Sequence, residues 1–113
     1  MTDCIFCKIA QGIIPVTFVH QDEKVVAFKD LNPQAPIHVL VVSRVHIPAL
    51  TVPEASDPKV LGAIFNVIRQ LAVSLRLEHG FRVVANCGPE GGQSVPHLHF
   101  HLLGGRQMNW PPG

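Results

Sequence analysis

Residues 97–101 read His97-Leu98-His99-Phe100-His101, an imidazole at every second position between Pro96 and the Gly104-Gly105 pair. Alternate side chains of an extended strand leave opposite faces. The spacing therefore predicts His97, His99 and His101 along one face, with Leu98, Phe100 and Leu102 turned into a core. Side chains two residues apart on a strand stand roughly 6 to 7 Å apart, which suits neighbouring roles around one small anionic group such as a phosphate. A tag-like or metal-binding run is the competing explanation, and the strict alternation of apolar residues argues against it.

The segment leading into that strand is Gly88-Pro89-Glu90-Gly91-Gly92-Gln93-Ser94-Val95-Pro96. Its glycines let backbone amides approach a ligand closely, and successive N–H groups in such a turn can hold phosphate oxygens. A second chemical feature lies near the N-terminus, where Cys4-x-x-Cys7 places two thiols at a spacing common in metal sites.

These groups need a scaffold. A short helix is expected from an Asp3 cap through about Gln11, ended by Gly12, with Ile5, Phe6 and Ile9 on one apolar stripe. Val16 to His20 and Val25 to Asp30 read as a hairpin around Gln21-Asp22-Glu23-Lys24. Ile37 to Ser43 reads as a third strand, with His38, Leu40 and Val42 on one face. Asp57-Pro58 opens a second helix that Gly80 would stop, and Leu61, Ile64, Ile68, Leu71 and Leu75 form its stripe. Phe81 to Asn86 and Val95 to Leu103 complete five strands. The expected fold is α+β, a mainly antiparallel sheet with helices packed on it. His20, at a hairpin, and His79, beside a helix C-terminus where partial positive charge suits the dipole, are read as structural and not as site residues.

The chain has 113 residues, the size of one domain spanning 1–113, and is 47% hydrophobic with a formal charge of +1. That balance lacks the basic face needed for non-specific nucleic-acid binding, and no apolar run reaches membrane-spanning length. The first residues, Met1-Thr2-Asp3-Cys4, do not form a secretory signature, and an odd count of three cysteines suits a reducing compartment. A cytoplasmic location is the expectation.

The stretch Gln93 to Leu103 resembles the signature of the histidine triad superfamily, His-φ-His-φ-His-φ-φ with φ apolar. Cys4-Ile5-Phe6-x-Lys8-Ile9, the segment from Ala27 to His38, and the tail from Gly104 to Gly113 resemble its nucleotide-binding branch. The resemblance implies a fold of this type that dimerises into one continuous sheet. It also implies a purine nucleoside phosphoramidate hydrolase, with purine nucleoside phosphoramidates or mononucleotides as ligands. By that likeness His99 is the nucleophile, its neutral imidazole available because an unperturbed histidine titrates at about 6.5. His101 donates to a phosphate oxygen, and His38 sets tautomers within the cluster. Asn86, Gly92, Gln93 and Ser94 meet the phosphate or its leaving group, and Asp30 accepts from the ribose hydroxyls. Ile5, Phe6, Ile9, Phe28 and Leu31 wall the base pocket, and Trp110 reaches the partner's site in the homodimer.

The resemblance requires no cofactor for catalysis. It does match His46 and His97 to the cysteine pair as a structural zinc set, while the tail resembles a branch in which zinc is often absent, so occupancy stays open. Two other functions remain open at this stage: a dinucleoside polyphosphate hydrolase, and a regulatory or scaffold protein that binds nucleotides. A nucleotidyl transferase fits less well, because that branch carries glutamine where His101 stands.

Overall fold

The computed structural model describes residues 3–113. Met1 and Thr2, the start of the segment read above for a leader signature, lie outside the described residues. Helix α1 spans Ile5–Ala10 and strands β1 and β2 span Phe18–Gln21 and Val25–Lys29. Strand β3 is Ile37–Ser43, helix α2 is Pro58–Ser74, and strands β4 and β5 are Phe81–Val84 and His99–Gly104. The five strands form one antiparallel sheet in the order β1-β2-β3-β5-β4. This is the α+β architecture expected. No helix of the described residues is long and apolar enough to cross a membrane.

Each face of the sheet has its own helix. On one, Val25, Ala27, Val39, Val41, Leu98, Phe100 and Leu102 pack against Ile64, Val67, Ile68 and Leu71 of α2. Asp57 caps that helix by accepting from the Lys59 amide at 2.9 Å. On the other face, Val26, Phe28, Leu40 and Val42 pack against Phe6, Cys7, Ile9 and Ala10 of α1. Full burial of an aliphatic side chain contributes about 1.5 to 3 kcal/mol. The period-2 alternation in β3 and β5 thus decides which residues meet α2 and which meet α1.

Several element ends differ from expectation, each for a local reason. The cap of α1 is Cys4, whose Sγ accepts from the Cys7 amide at 3.3 Å, and not Asp3, which is exposed. Helix α2 stops before Gly80 is reached. Arg76 takes the left-handed conformation at φ 60°, and the Arg76 and Leu77 amides close a Schellman motif on the Val73 and Ala72 carbonyls. Strand β5 begins at His99 and not Val95, because the Leu98 amide turns aside to the Ile47 carbonyl at 2.6 Å and the His97 amide bonds the Val95 carbonyl. Strand β1 starts at Phe18, with a register shift between Phe18 and His20, and β4 ends at Val84. His20 pairs with Asp22 at 2.7 Å in the hairpin, and His79 is exposed.

Candidate active site

Register brings the histidines together. Antiparallel pairing sets Leu40 opposite His101 and Val42 opposite His99, so both imidazoles and His38 share the α1 face. On the other side of β5, Val84 pairs with His101, so Asn86 follows two residues beyond the end of β4. Phe6 of α1 stands edge-on to His99 and His97, with ring centroids 4.9 and 6.0 Å away.

The hydrogen bonds assign a tautomer to each ring. Nδ1 of His99 lies 2.7 Å from the His97 carbonyl oxygen, which can only accept, so the His99 proton sits on Nδ1 and Nε2 keeps its lone pair. No side-chain nitrogen is both buried and unpartnered among the described residues, so that Nε2 is reachable from solvent. The opposite polarity is imposed on His101. The Gln34 amide donates to Nδ1 of His38 at 3.0 Å, which places the His38 proton on Nε2; this donates to Nδ1 of His101 at 2.9 Å. His101 is left with an N–H at Nε2. The His99 and His101 ring centroids are 5.1 Å apart.

Burial favours the neutral form of His101 and His38. Burial first, then the neighbouring His99 and His38 rings, push the pKa of His101 down to about 4, against the opposing carboxylate of Asp30. Burial also lowers that of His38, against the opposing carboxylate of Asp30, whose Oδ2 lies 3.4 Å from Nε2. A neutral imidazole is what both an attacking nitrogen and an uncharged donor require.

A cleft of about 460 Å³ is lined by Ile5, Phe6, Ile9, Phe28, Asp30 and Leu31 among others, and Phe6 joins it to His99. All six were singled out from the sequence. Leu31 is 98% exposed, so it forms a rim and not a buried wall. Ile14, Pro15, Val16, Thr17, Lys29 and Leu40 also line the cleft; the first four lie in the irregular stretch before β1, where no periodic pattern marks a wall residue.

The glycine-bearing loop distributes its donors unevenly. Both amides of Gly92 and Gln93 turn inward to the Pro89 and Gly88 carbonyls. The Gln93 side chain donates to the Pro48 and Val95 carbonyls and accepts from the Gly88 amide, so it braces the loop and has no N–H left for a phosphate. Among the described residues neither the amide nor the hydroxyl of Ser94 has a partner, and the Asn86 side chain has none either. A Cβ on Gly92 would lie 3.9 Å from Asn86 Nδ2, which places that amide against the loop. Ser94 and Asn86 are therefore loop-side side chains with donors free for an anion. Trp110 is not brought to these residues within one chain and is 81% exposed.

The second cluster joins the first through His97. Ligand atoms of Cys4, Cys7, His46 and His97 all lie within 4.8 Å of one another. Nδ1 of His97 is 3.2 Å from Cys4 Sγ, 3.5 Å from Cys7 Sγ and 3.2 Å from Nδ1 of His46, and Cys7 Sγ is 3.3 Å from that same nitrogen. Tetrahedral zinc, with bonds of about 2.0 to 2.3 Å to nitrogen and sulfur, demands separations of this size between its ligands. Nε2 of His97 donates to the Ser43 carbonyl at 2.7 Å, which aims the Nδ1 lone pair at the cluster. Burial first, and the neighbouring Cys4 second, push the Cys7 thiol up to about 11. The donor set fits a closed tetrahedral metal. Sequence spacing could not show this, because His46 is delivered by the loop after β3.

Residues 11–108 match the model of the HIT domain. The chain is 51% identical over 111 residues to a 14 kDa zinc-binding protein of Zea mays, covering 96% of this chain and 87% of that one. It is 46% identical to a protein of Arabidopsis thaliana named adenylylsulfatase HINT1, covering 96% of this chain and 76% of that one. The crystal structure of a HIT family hydrolase from Legionella pneumophila Philadelphia 1 superposes with a TM-score of 0.92 at 46% identity, covering 98% of this chain and 100% of that one. The chain belongs to the HIT family.

Proposed function

We propose that this chain hydrolyses purine nucleoside phosphoramidates through a covalent nucleotidyl-histidine, releasing a nucleoside monophosphate and an amine. The observation that carries this reading is the opposite polarity of two adjacent rings, His99 with a lone pair at Nε2 and His101 with an N–H there. In the first step Nε2 of His99 attacks the α-phosphorus. The Nε2–P bond forms as the P–N bond breaks, and the amine departs with the bonding electrons and one proton taken from solvent. Water then attacks phosphorus and returns one proton to solvent, the Nε2–P bond breaks, and the neutral ring returns. His101 and Ser94 donate to the non-bridging oxygens as charge develops on them, with Asn86 beside them. Asp30 accepts from the ribose hydroxyls, and the apolar cleft between α1 and Phe28 takes the base. The printed name of the Arabidopsis relative, an adenylylsulfatase, supports an adenylyl group in that cleft.

Two features belong with this reading. Cys4, Cys7, His46 and His97 hold a structural zinc, as the printed name of the maize relative supports; the ion would cross-link α1, the loop after β3 and the entry to β5. Strand β4 ends the sheet with an unpaired edge, and Phe81 and Val73 near it are 45% and 72% exposed. Pairing of this edge with a second copy makes a homodimer and covers a surface otherwise prone to non-specific strand addition.

The test is turnover of a panel of adenylyl and guanylyl amides, adenylyl sulfate and dinucleoside polyphosphates. The amides are expected to be cleaved fastest. Preference for adenylyl sulfate would follow the Arabidopsis relative, preference for dinucleoside polyphosphates would assign the other hydrolase branch, and no turnover of any member would leave nucleotide binding as the role.

A further inference from the structure

Helix α1 interleaves the residues of two sites. Cys4, its cap, and Cys7 supply two of the four donors of the metal set, whereas Ile5, Phe6 and Ile9 line the apolar cleft. Ile5 also lines a second cavity, of about 680 Å³, which reaches Cys4 and His46 between Pro48 and Ser94. The helix is thus the partition between the cleft and the opening onto the metal set.

A helix of six residues has little stability of its own, so its position rests on what holds it. At its C-terminal end Arg44 donates to the Ala10 carbonyl at 2.6 Å. At its N-terminal end the holding contacts are those of Cys4 and Cys7 with His97 and His46. Between them, Phe6 is in edge contact with both His97 and His99. Zinc–ligand bonds at the N-terminal end would fix the orientation of every cleft residue that α1 carries.

We propose that zinc in the Cys4, Cys7, His46 and His97 set and a nucleotide in the cleft bind with positive coupling transmitted by α1. The proposal rests on the nucleotide reading given above. Coupling between two bound ligands is reciprocal, so zinc tightens the nucleotide by the same factor as the nucleotide tightens zinc.

The experiment uses the whole chain, first stripped of metal with a chelator and then reloaded with zinc. Adenosine monophosphate is titrated into both forms, and zinc affinity is measured by competition with a chelator, with and without saturating adenosine monophosphate. The expected result is about tenfold tighter nucleotide binding in the zinc form, with an equal gain in zinc affinity when nucleotide is present. Amide exchange at residues 6–10 should slow on zinc addition. His46→Asn, which removes a ligand outside α1, should lose the zinc dependence of nucleotide affinity. Equal nucleotide affinity in the two forms, or failure of the chain to take up zinc, overturns the coupling. Failure of either form to bind adenosine monophosphate overturns the nucleotide reading beneath it.

Discussion

Two imidazoles of like chemistry are made unlike by what their Nδ1 atoms face. His99 meets a carbonyl, and His101 meets the N–H of His38, itself set by the Gln34 amide. His38→Ala removes the group that directs the His101 proton to Nε2. It should lower kcat for a phosphoramidate by about 10²-fold to 10³-fold, the effect of losing one oriented donor, with KM little changed. Equal losses in 1/KM would show that His38 serves binding instead. The burial that keeps His101 neutral also shapes acid stability. The folded chain resists protonation at His101 down to about pH 4, while the unfolded chain takes up that proton near 6.5. In this window the unfolded state binds more protons, so stability falls as pH drops from about 6.5 to about 4. His101→Gln should flatten the fall in Tm over that range, and parallel curves for the two proteins would count against it.

At the scale of elements, the triad strand and α2 were legible because hydrophobic period and capping chemistry agree. The ends were not. The pattern of α2 continues to Leu75, and nothing in an arginine announces the left-handed conformation that stops the helix at Arg76. A non-glycine residue there carries a cost of about 1 kcal/mol, so Arg76→Gly should raise stability by up to about that amount in urea unfolding. The glycine-bearing loop lies where the sequence places it, between β4 and β5, but its glycines were read too generally. A Cβ on Gly91 would collide with the Cys87 carbonyl oxygen, a rigid backbone atom, so Gly91→Ala should shift the loop and Ser94 with it. The expected outcome is a turnover loss of about tenfold or more from misplacement near the reacting atoms. Unchanged kinetics would mean that Ser94 is not needed where it stands. Gln93 illustrates the limit of sequence most clearly, since its residue type suits a phosphate contact and only coordinates reveal that its donors are engaged within the loop.

For the molecule as a whole, composition bounded the class, and the alternation at 97–101 pointed to the face on which His99, His101 and His38 meet. The assembly of the metal set needed the fold, because four residues spread from Cys4 to His97 converge only when α1, the loop after β3 and the start of β5 are packed together. Trp110 is 81% exposed in one copy, so a role for it in the proposed site depends on the proposed homodimer. Sedimentation at micromolar concentration should give the mass of two chains, and Trp110→Ala should alter selectivity among leaving amines; a monomer would remove Trp110 from the site. The central claim, that His99 carries the nucleotide through the reaction, has a direct measurement. The chain is mixed with an adenylyl amide, quenched within the first turnovers, and its intact mass and peptide map are recorded. The account predicts one adenylyl group on the peptide containing His99, and neither adduct nor turnover in His99→Ala, which still binds the nucleotide. Turnover without an adduct on His99, or turnover that survives in His99→Ala, would contradict it.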